Sequence, residues 1–313
     1  MQNTKENILE VNDLVVAFQM YGKGFQRRDL EVIHSLSLSV GRGEIVAVVG
    51  SSGSGKSVLA HAALGLLPKN AVTGGEIRYK GQLLDDKLRK KLLGRAIAYI
   101  PQSVDYLDPL MKVGPQVVGV HGTKQRQREL FAKYHLPEET EKKYPFQLSG
   151  GMARRVLISS AVMEQPELII ADEPTPGLDL GMAMETLIHF RELADQGTGV
   201  LLITHDIDLA LHVADRIAVF YAGTVVEVAP KEDFLTGKEA LRHPYSKAFL
   251  DALPQNGFKP IPGTQPYAGN LPSGCLFAER CPWRDQACAG EIPVQTIRNG
   301  EVRCIHAAES RAY

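Results

Sequence analysis

The chain has 313 residues, of which 44% are hydrophobic and 23% charged, a composition that suits a globular protein with room for a large and a small domain. Its net charge of −1 argues against a protein that coats nucleic acid. No apolar run approaches the roughly 18–20 residues that cross a bilayer, and the N-terminal MQNTKENILEV has no apolar signal-peptide core. We therefore expect a chain that stays in the cytoplasm.

Strands and helices alternate along the first 230 residues. Residues 8–18 and 32–40 alternate apolar and polar side chains, which predicts half-buried antiparallel strands. A strand over 44–49 leads through a glycine-rich loop into a helix over 58–67, and 74–84 is typical of a strand pair. The later elements are strand 95–102, a charged helical stretch 107–147, helix 152–163, strand 167–172, helix 181–196, strand 199–204, helix 206–214, and strands 216–221 and 224–228. This order predicts an α/β fold with a mainly parallel sheet.

The stretch GSSGSGKS, residues 50–57, fits the phosphate-loop pattern between a strand and a helix. Its small residues let backbone N–H groups turn towards phosphate oxygens, and the following helix N-terminus favours an anion. Lys56 can place its ammonium on the β- and γ-phosphates, and the Ser57 hydroxyl can bind Mg²⁺. The alternative is a chance turn of Gly and Ser. The predicted nucleotide-binding residues are Gly50, Ser51, Gly53, Ser54, Gly55, Lys56 and Ser57.

A second candidate site follows the apolar run LIIA, where Asp172 and Glu173 end a predicted buried strand. Ligands are expected at the carboxyl edge of a parallel sheet. Asp172 is predicted to hold the Mg²⁺ shell, and Glu173 to polarise a water aimed at the γ-phosphate. A solvated strand end halted by Pro174 is the alternative.

The sequence LSGGM, residues 148–152, stands at the start of a predicted helix. With the phosphate loop before it and ADEP after it, this order resembles the ATP-binding subunit of an ABC transporter over roughly residues 8–250. The resemblance implies a P-loop ABC ATPase domain over 1–235, with an antiparallel β subdomain and a helical subdomain at about 103–165. It also implies that the chain binds ATP and Mg²⁺ and hydrolyses the ATP.

The resemblance assigns roles to further residues. Gln102 matches the glutamine that links Mg²⁺ and water to the membrane partner, and His205 matches the histidine that contacts the γ-phosphate. Asp179 belongs to a stretch that resembles the D-loop, and Phe18, or otherwise Tyr21, would stack on adenine. Taken singly, Gln102 reads as a polar cap, His205 as a helix start and Phe18 as a core residue.

The signature stretch implies a shared site. Ser149, Gly150 and Gly151 offer unobstructed backbone donors at a helix N-terminus, and in the family these reach ATP held by the other subunit. Met152 stands where glutamine is common, and Ala153-Arg154-Arg155 replaces a common Arg-Gln-Arg. Neither change removes a backbone donor.

The C-terminal sequence HPYSKAFL, residues 243–250, resembles the extension of oligopeptide, dipeptide and nickel uptake ATPases. We therefore predict a second region over 236–313. Its last 60 residues are rich in Pro, Gly and Cys and carry little periodicity, so we expect a small irregular lobe.

All four cysteines lie in this lobe, at Cys275, Cys281, Cys288 and Cys304. Structural disulfides are rare in the cytosol, and the spacing lacks the CxxC pairs of a common zinc site. Four thiolates suit a soft metal centre. We favour a [4Fe–4S] cluster, which the resemblance also implies. Zn²⁺ is the alternative metal, and four free buried thiols with no metal are the remaining interpretation.

Two neighbours of the cysteines have simpler interpretations. We expect Trp283 to pack in the lobe. His306 is a candidate substitute ligand, but an exposed polar tail residue is the favoured interpretation.

The resemblance implies a binding-protein-dependent importer of di- or oligopeptides, or alternatively of nickel or a metal chelate. Its implied partners are two membrane permease subunits, a second identical or homologous ATPase and an extracytoplasmic binding protein, with the chain on the cytoplasmic face of the membrane. A soluble ABC ATPase acting on ribosomes or DNA is less favoured, because the sequence has no basic patch or long heptad run. A sensor role for the cysteine lobe is the third hypothesis.

Overall fold

A computed structural model describes residues 6–21, 27–51 and 53–307. The chain divides into two compact units, each built from separated segments. The first unit contains Met1–Leu9, Val40–Ile45 and Tyr79–Thr204. The second unit contains Glu10–Ser39, Val46–Arg78 and His205–Tyr313. No helix in the described ranges is long and apolar enough to span a membrane.

The strands fall in three stretches of the chain, over residues 7–100, 168–230 and 295–302. They are β1 (Asn7–Tyr21), β2 (Arg27–Gly41), β3 (Ile45–Val49), β4 (Ala71–Tyr79), β5 (Gln82–Leu83), β6 (Ile97–Ile100), β7 (Leu168–Asp172), β8 (Gly199–Thr204), β9 (Arg216–Tyr221), β10 (Thr224–Pro230), β11 (Gln295–Ile297) and β12 (Gly300–Val302). The helices are α1 (Lys56–Leu64), α2 (Asp86–Leu92), α3 (Val113–Val118), α4 (Lys124–Lys133), α5 (Gly150–Ala161), α6 (Leu180–Asp195), α7 (Ile207–Val213), α8 (Lys231–Thr236) and α9 (Pro244–Asp251).

In the first unit, β6, β7 and β8 form parallel pairs in that order. Leu168 of β7 lies opposite Ile97 of β6 and Gly199 of β8. Every residue of β7 and β8 is buried, as expected for parallel strands covered on both faces. Asp172 is the last residue of β7, so the register brings it to the carboxyl edge.

In the second unit, β3 pairs in parallel with β9, with Val46 opposite Arg216. Antiparallel pairs then continue the order through β10 and β12 to β11. The register of β9 and β10 shifts between Val225 and Glu227, where the chain forms a bulge. A further sheet has the strand order β2, β1, β4, β5.

Most of the predicted elements are confirmed with small changes at their ends. The charged stretch 107–147 contains only the short helices α3 and α4 together with short 3₁₀ turns. Gly119 ends α3 with φ +60°, and a 3₁₀ turn follows Pro137, since proline favours the start of a new turn.

The expectation of an irregular C-terminal lobe is only partly right. Residues 254–294 contain short 3₁₀ turns, but β11 and β12 pair with each other, and β12 extends the second unit's sheet by pairing with β10. Three-residue strands are too short to show an alternating pattern. The predicted boundary near residue 235 stays a prediction.

Candidate nucleotide site and cysteine cluster

The phosphate loop connects β3 to α1 within the second unit. Gly55 caps α1 with φ +107°, and Gly53 has φ +75°, a region that side chains with a Cβ rarely adopt. A Cβ at Gly50 would clash with the carbonyl oxygen of Phe220. The glycines are therefore required by backbone shape and not only by ligand access.

Lys56 is buried and folds back over this loop. Its Nζ donates to the carbonyl oxygens of Gly50 and Ser51, both at 2.9 Å. Ser57 follows it at the start of α1 and is partly exposed. The buried Ser54 hydroxyl has no hydrogen-bond partner among the described residues. A loop with a lysine ammonium, a buried hydroxyl and a helix N-terminus fits phosphate oxygens.

The acidic pair lies in the first unit. Asp172 is 1% exposed and Glu173 6% exposed. Glu173 has φ +49°, and its N–H donates to the carbonyl oxygen of Ile203 at 2.9 Å. Burial, followed by the nearby Asp172 charge, raises the pKa of Tyr99. A non-glycine residue in the left-handed region at a strand end is a frequent feature of functional sites.

The signature stretch forms the start of α5. The Ser149 hydroxyl accepts from the Met152 N–H at 3.3 Å and caps the helix. Ser149 and Gly150 are exposed. A Cβ on Gly151 would lie 3.1 Å from the carbonyl oxygen of Gly177, so glycine permits the close approach of these two segments.

Asp179 plays the same capping role for the next helix of this unit. It is exposed, and its Oδ1 accepts from the Met182 N–H at 3.0 Å at the start of α6. Its side chain therefore has a local structural task, whatever else it does.

Arg154 is a site residue that the sequence interpretation missed. It is buried on α5 and donates to the carbonyl oxygens of Pro101, at 2.5 Å, and Gln102. Burial lowers the pKa of its guanidinium, while Asp172 and Glu173 act in the opposite direction. An arginine remains charged under such conditions, so it is a charged donor to the Gln102 backbone, and the acidic pair stabilises its charge. The one signal in the sequence was that Arg154 stands at a position where glutamine is common in the family.

The remaining predicted residues are divided between the two units. Gln102 lies in the first unit with its side chain exposed. His205, exposed before α7, and Phe18, partly exposed on β1, lie in the second unit with the phosphate loop. Tyr21 ends β1, and its side chain lies outside the described residues.

The four cysteines come together in the second unit. All four line one small cavity together with His243, Phe277 and Ile292, and none forms a disulfide. The Cys275 N–H donates to the Cys288 carbonyl oxygen at 2.9 Å. Trp283 is buried, as predicted, with Lys247 Nζ 5.2 Å from its ring centroid.

The electrostatics of the cavity disfavour bare thiolates. Burial raises the pKa of Cys281 to about 11 and that of Cys304 to about 12, and neighbouring thiols add to both shifts. Backbone N–H groups act in the opposite direction, for example Trp283 N–H on the Cys281 sulfur at 3.4 Å. A positively charged soft metal centre is the chemistry that such a set of four sulfurs fits.

The expectation of an exposed His306 is wrong. The residue is 7% exposed, and its Nε2 lies 3.0 Å from Asp285 Oδ2. Asp285, Cys288 and His306 have potential ligand atoms within 4.8 Å of one another. His306 follows the hairpin of β11 and β12 and lines the same cavity as the four cysteines.

The phosphate loop, the acidic strand end and the α/β sheets define a P-loop ATPase. Residues 33–176 match a family model described as ABC transporter, and residues 226–288 match one described as oligopeptide/dipeptide transporter, C-terminal region. The chain is 36% identical to the dipeptide transport ATP-binding protein DppD of Bacillus subtilis (strain 168), over 94% of this chain and 92% of that protein. It is 35% identical to the Escherichia coli (strain K12) DppD, over 91% and 92% of the two chains.

Solved structures show the same fold. A dimeric ATP-binding cassette in a post-hydrolysis state, bound to ADP and Pi, has a TM-score of 0.63 and 26% identity, covering 71% of this chain and 98% of that one. An ATP binding subunit of an ABC transporter has a TM-score of 0.58 and 28% identity, covering 73% and 92%. The chain belongs to the ABC transporter ATP-binding proteins, in their oligopeptide/dipeptide group.

Proposed function

We propose that this ABC ATPase hydrolyses MgATP at an interface with a second ATPase subunit and thereby powers the import of di- or oligopeptides. The observation that carries the proposal is the phosphate loop with its folded-back Lys56, in a chain that also has a buried acidic pair at a strand end. The similarity to two dipeptide transport proteins over most of the chain supports the same conclusion.

The residues of the site take distinct roles in this proposal. Lys56 and the loop amides hold the phosphates, and Ser57 and Asp172 hold Mg²⁺ with Gln102. Glu173 orients and polarises the attacking water. His205 contacts the γ-phosphate. Bound Mg²⁺ supplies charge neutralisation on the phosphates, and Phe18 stacks on adenine.

The signature residues serve a second nucleotide. Ser149 and Gly150 are exposed at the N-terminus of α5, so their backbone groups are available to a ligand outside the chain. Gly151 and Asp179 complete this surface in the proposal. ATP held between two subunits then favours the closed dimer, and hydrolysis releases it.

The proposed cargo is a peptide because both curated relatives are named for dipeptide transport. Nickel or a metal chelate is the alternative cargo. The proposed partners are two membrane permeases, a homologous or identical ATPase and an extracytoplasmic binding protein, which place the chain on the cytoplasmic face of the membrane.

The test is reconstitution with the permeases and binding protein in vesicles. Dipeptide should stimulate ATP hydrolysis and enter the vesicles, whereas Ni²⁺ should do neither. The matched control is Lys56→Ala, which should lose both activities. Hydrolysis that responds to Ni²⁺ and ignores peptides would overturn the proposed cargo but leave the ATPase assignment intact.

We further propose that the four cysteines hold a [4Fe–4S] cluster, with Zn²⁺ as the alternative. Four sulfurs around one cavity, with backbone N–H groups directed at them, support the proposal. A bound centre would supply four covalent links between parts of the lobe that are separated along the chain. Anaerobic purification followed by iron, sulfide and zinc analysis tests it. About four irons and four sulfides per chain are expected, and one zinc would replace the assignment.

A further inference from the structure

The C-terminal extension touches the phosphate loop at Ser51. The Ser51 hydroxyl donates to Gln265 Oε1 at 3.2 Å. The Tyr245 hydroxyl lies against Ser51, whose side-chain and backbone groups act against the rise that burial causes in the pKa of Tyr245. The carbonyl oxygen of Ser51 in turn accepts from Lys56 Nζ at 2.9 Å. Tyr245 and Gln265, far along the chain, therefore both contact Ser51. Ser51 in turn accepts a hydrogen bond from the phosphate-binding Lys56.

Tyr245 is itself held rigidly. It is 2% exposed on α9, and its ring centroid lies 4.4 Å from that of Tyr221 and 5.4 Å from that of Phe277. Burial raises the pKa of Tyr245 to about 12, so its hydroxyl stays neutral and can both donate and accept. Phe277 also lines the cavity of the four cysteines. The cysteine lobe thus packs directly on the residue that contacts the loop.

A loop with several glycines must be ordered before it can bind phosphate, and this ordering weakens binding. Contacts that fix Ser51 beforehand reduce that cost. We propose that Tyr245 and Gln265 are positioning residues for the phosphate loop, through which the C-terminal extension sets the affinity for nucleotide. The proposal rests on ATP binding at the loop and adds a role for the extension that the ATPase chemistry does not require.

The test uses the full-length chain and measures the ATP dissociation constant, KM and kcat. Tyr245→Phe keeps the ring and removes the hydroxyl, and Gln265→Ala removes the other contact. Each variant should raise the dissociation constant and KM by roughly 2–10-fold, the range of one hydrogen bond, with kcat little changed. The matched control is Tyr267→Phe, because Tyr267 lies in the same extension and is 70% exposed. It should bind ATP as the unmodified chain does.

A double-mutant cycle separates positioning from a general loss of stability. In a Ser51→Ala background, Gln265→Ala should add no further loss of affinity, because its partner hydroxyl is gone. Additive losses, or an unchanged affinity in Tyr245→Phe, would overturn the proposal. An unmodified chain that binds no ATP would instead overturn the proposed function.

Discussion

Glu173 combines burial with a backbone conformation that glutamate rarely adopts. Its φ of +49° directs the chain sharply away from β7, and its N–H is fixed to the next strand at Ile203. Such strain persists only where surrounding structure enforces it. The backbone of Glu173 is therefore held in one conformation, which fixes where its buried side chain leaves the chain.

Glu173→Gln keeps the size and burial of the side chain and removes its charge. We expect kcat for ATP hydrolysis to fall by roughly 10²–10⁴-fold, the contribution of a general base, while ATP binding persists. Single-turnover hydrolysis and equilibrium binding measure the two properties. Turnover at the unmodified rate would show that another group activates the water.

Arg154 should matter for turnover more than for ATP affinity. Arg154→Gln removes a charged donor from the carbonyl oxygens of Pro101 and Gln102. We expect kcat to fall about tenfold, the effect of losing one charged hydrogen bond, with partial recovery in Arg154→Lys. The control is Arg128→Gln, whose ion pair with Glu138 is solvent-exposed. A kcat unchanged in Arg154→Gln would show that the Gln102 backbone needs no support.

His189 makes stability depend on pH. Burial, assisted by Lys133, lowers its pKa from 6.5 to about 4, although Glu192 acts in the opposite direction and Arg126 adds to the lowering. The neutral ring is hydrogen-bonded to the Tyr134 hydroxyl. As the pH falls, this histidine binds a proton in the unfolded chain before it does so in the folded chain. The contribution of the neutral ring to folding stability is therefore complete above pH 6.5 and is lost as the pH falls towards 4.

The measurement is the difference in Tm between pH 7 and pH 5. We expect the Tm of the unmodified chain to be roughly several degrees lower at pH 5 than at pH 7, and the difference to be smaller in His189→Gln. The neighbouring His135 is the matched control, because it is exposed and pairs with Glu185. His135→Gln should keep the full pH dependence, and equal behaviour of all three chains would contradict the assignment.

At the scale of elements, one buried ion network fixes the extension to the second unit's sheet. Glu227 on β10 accepts from the backbone N–H groups of Arg242, at 2.8 Å, and His243, at 2.9 Å. The fully buried Arg242 guanidinium contacts Glu227 and Asp233 and donates to the carbonyl oxygens of Ile297 and Arg298. One side chain thus joins β10, α8 and the turn between β11 and β12.

Arg242→Ala should destabilise the chain by about 3–5 kcal/mol, since it leaves a buried carboxylate without its cation. The free energy of unfolding in urea measures the loss. Adding Glu227→Gln should restore part of it, because the amide carries no charge to bury. A loss below 1 kcal/mol would mean that water reaches Glu227.

At the scale of the whole molecule, the extension is part of the second unit's core. A chain ending at residue 240 would lack Tyr245 and Phe277, which pack on Tyr221, and the donors to Glu227. It would also leave β10 without the partner β12. We expect it to be insoluble when expressed, as measured by the soluble fraction. A soluble product with an unchanged Tm would contradict this view.

Local patterns made much of this architecture predictable. The phosphate loop and the strand ending at Asp172 are each contained in fewer than about ten neighbouring residues, so their sequence letters suffice. The contact between Ser51 and Gln265 spans 214 positions and depends on tertiary packing. The left-handed Glu173, the buried His306 and the role of Arg154 likewise follow from neighbours that are distant in sequence.

The parallel pairing of β3 with β9 has a consequence during synthesis. Val46 emerges from the ribosome about 170 residues before its partner Arg216. At the usual 5–20 residues per second, β3 and the loop after it wait roughly 10–30 s for that partner. The apolar run IVAVV is fully buried in the folded chain, and during this interval it lacks the cover of β9. We therefore expect nascent chains that end before Arg216 to need protection of this apolar run.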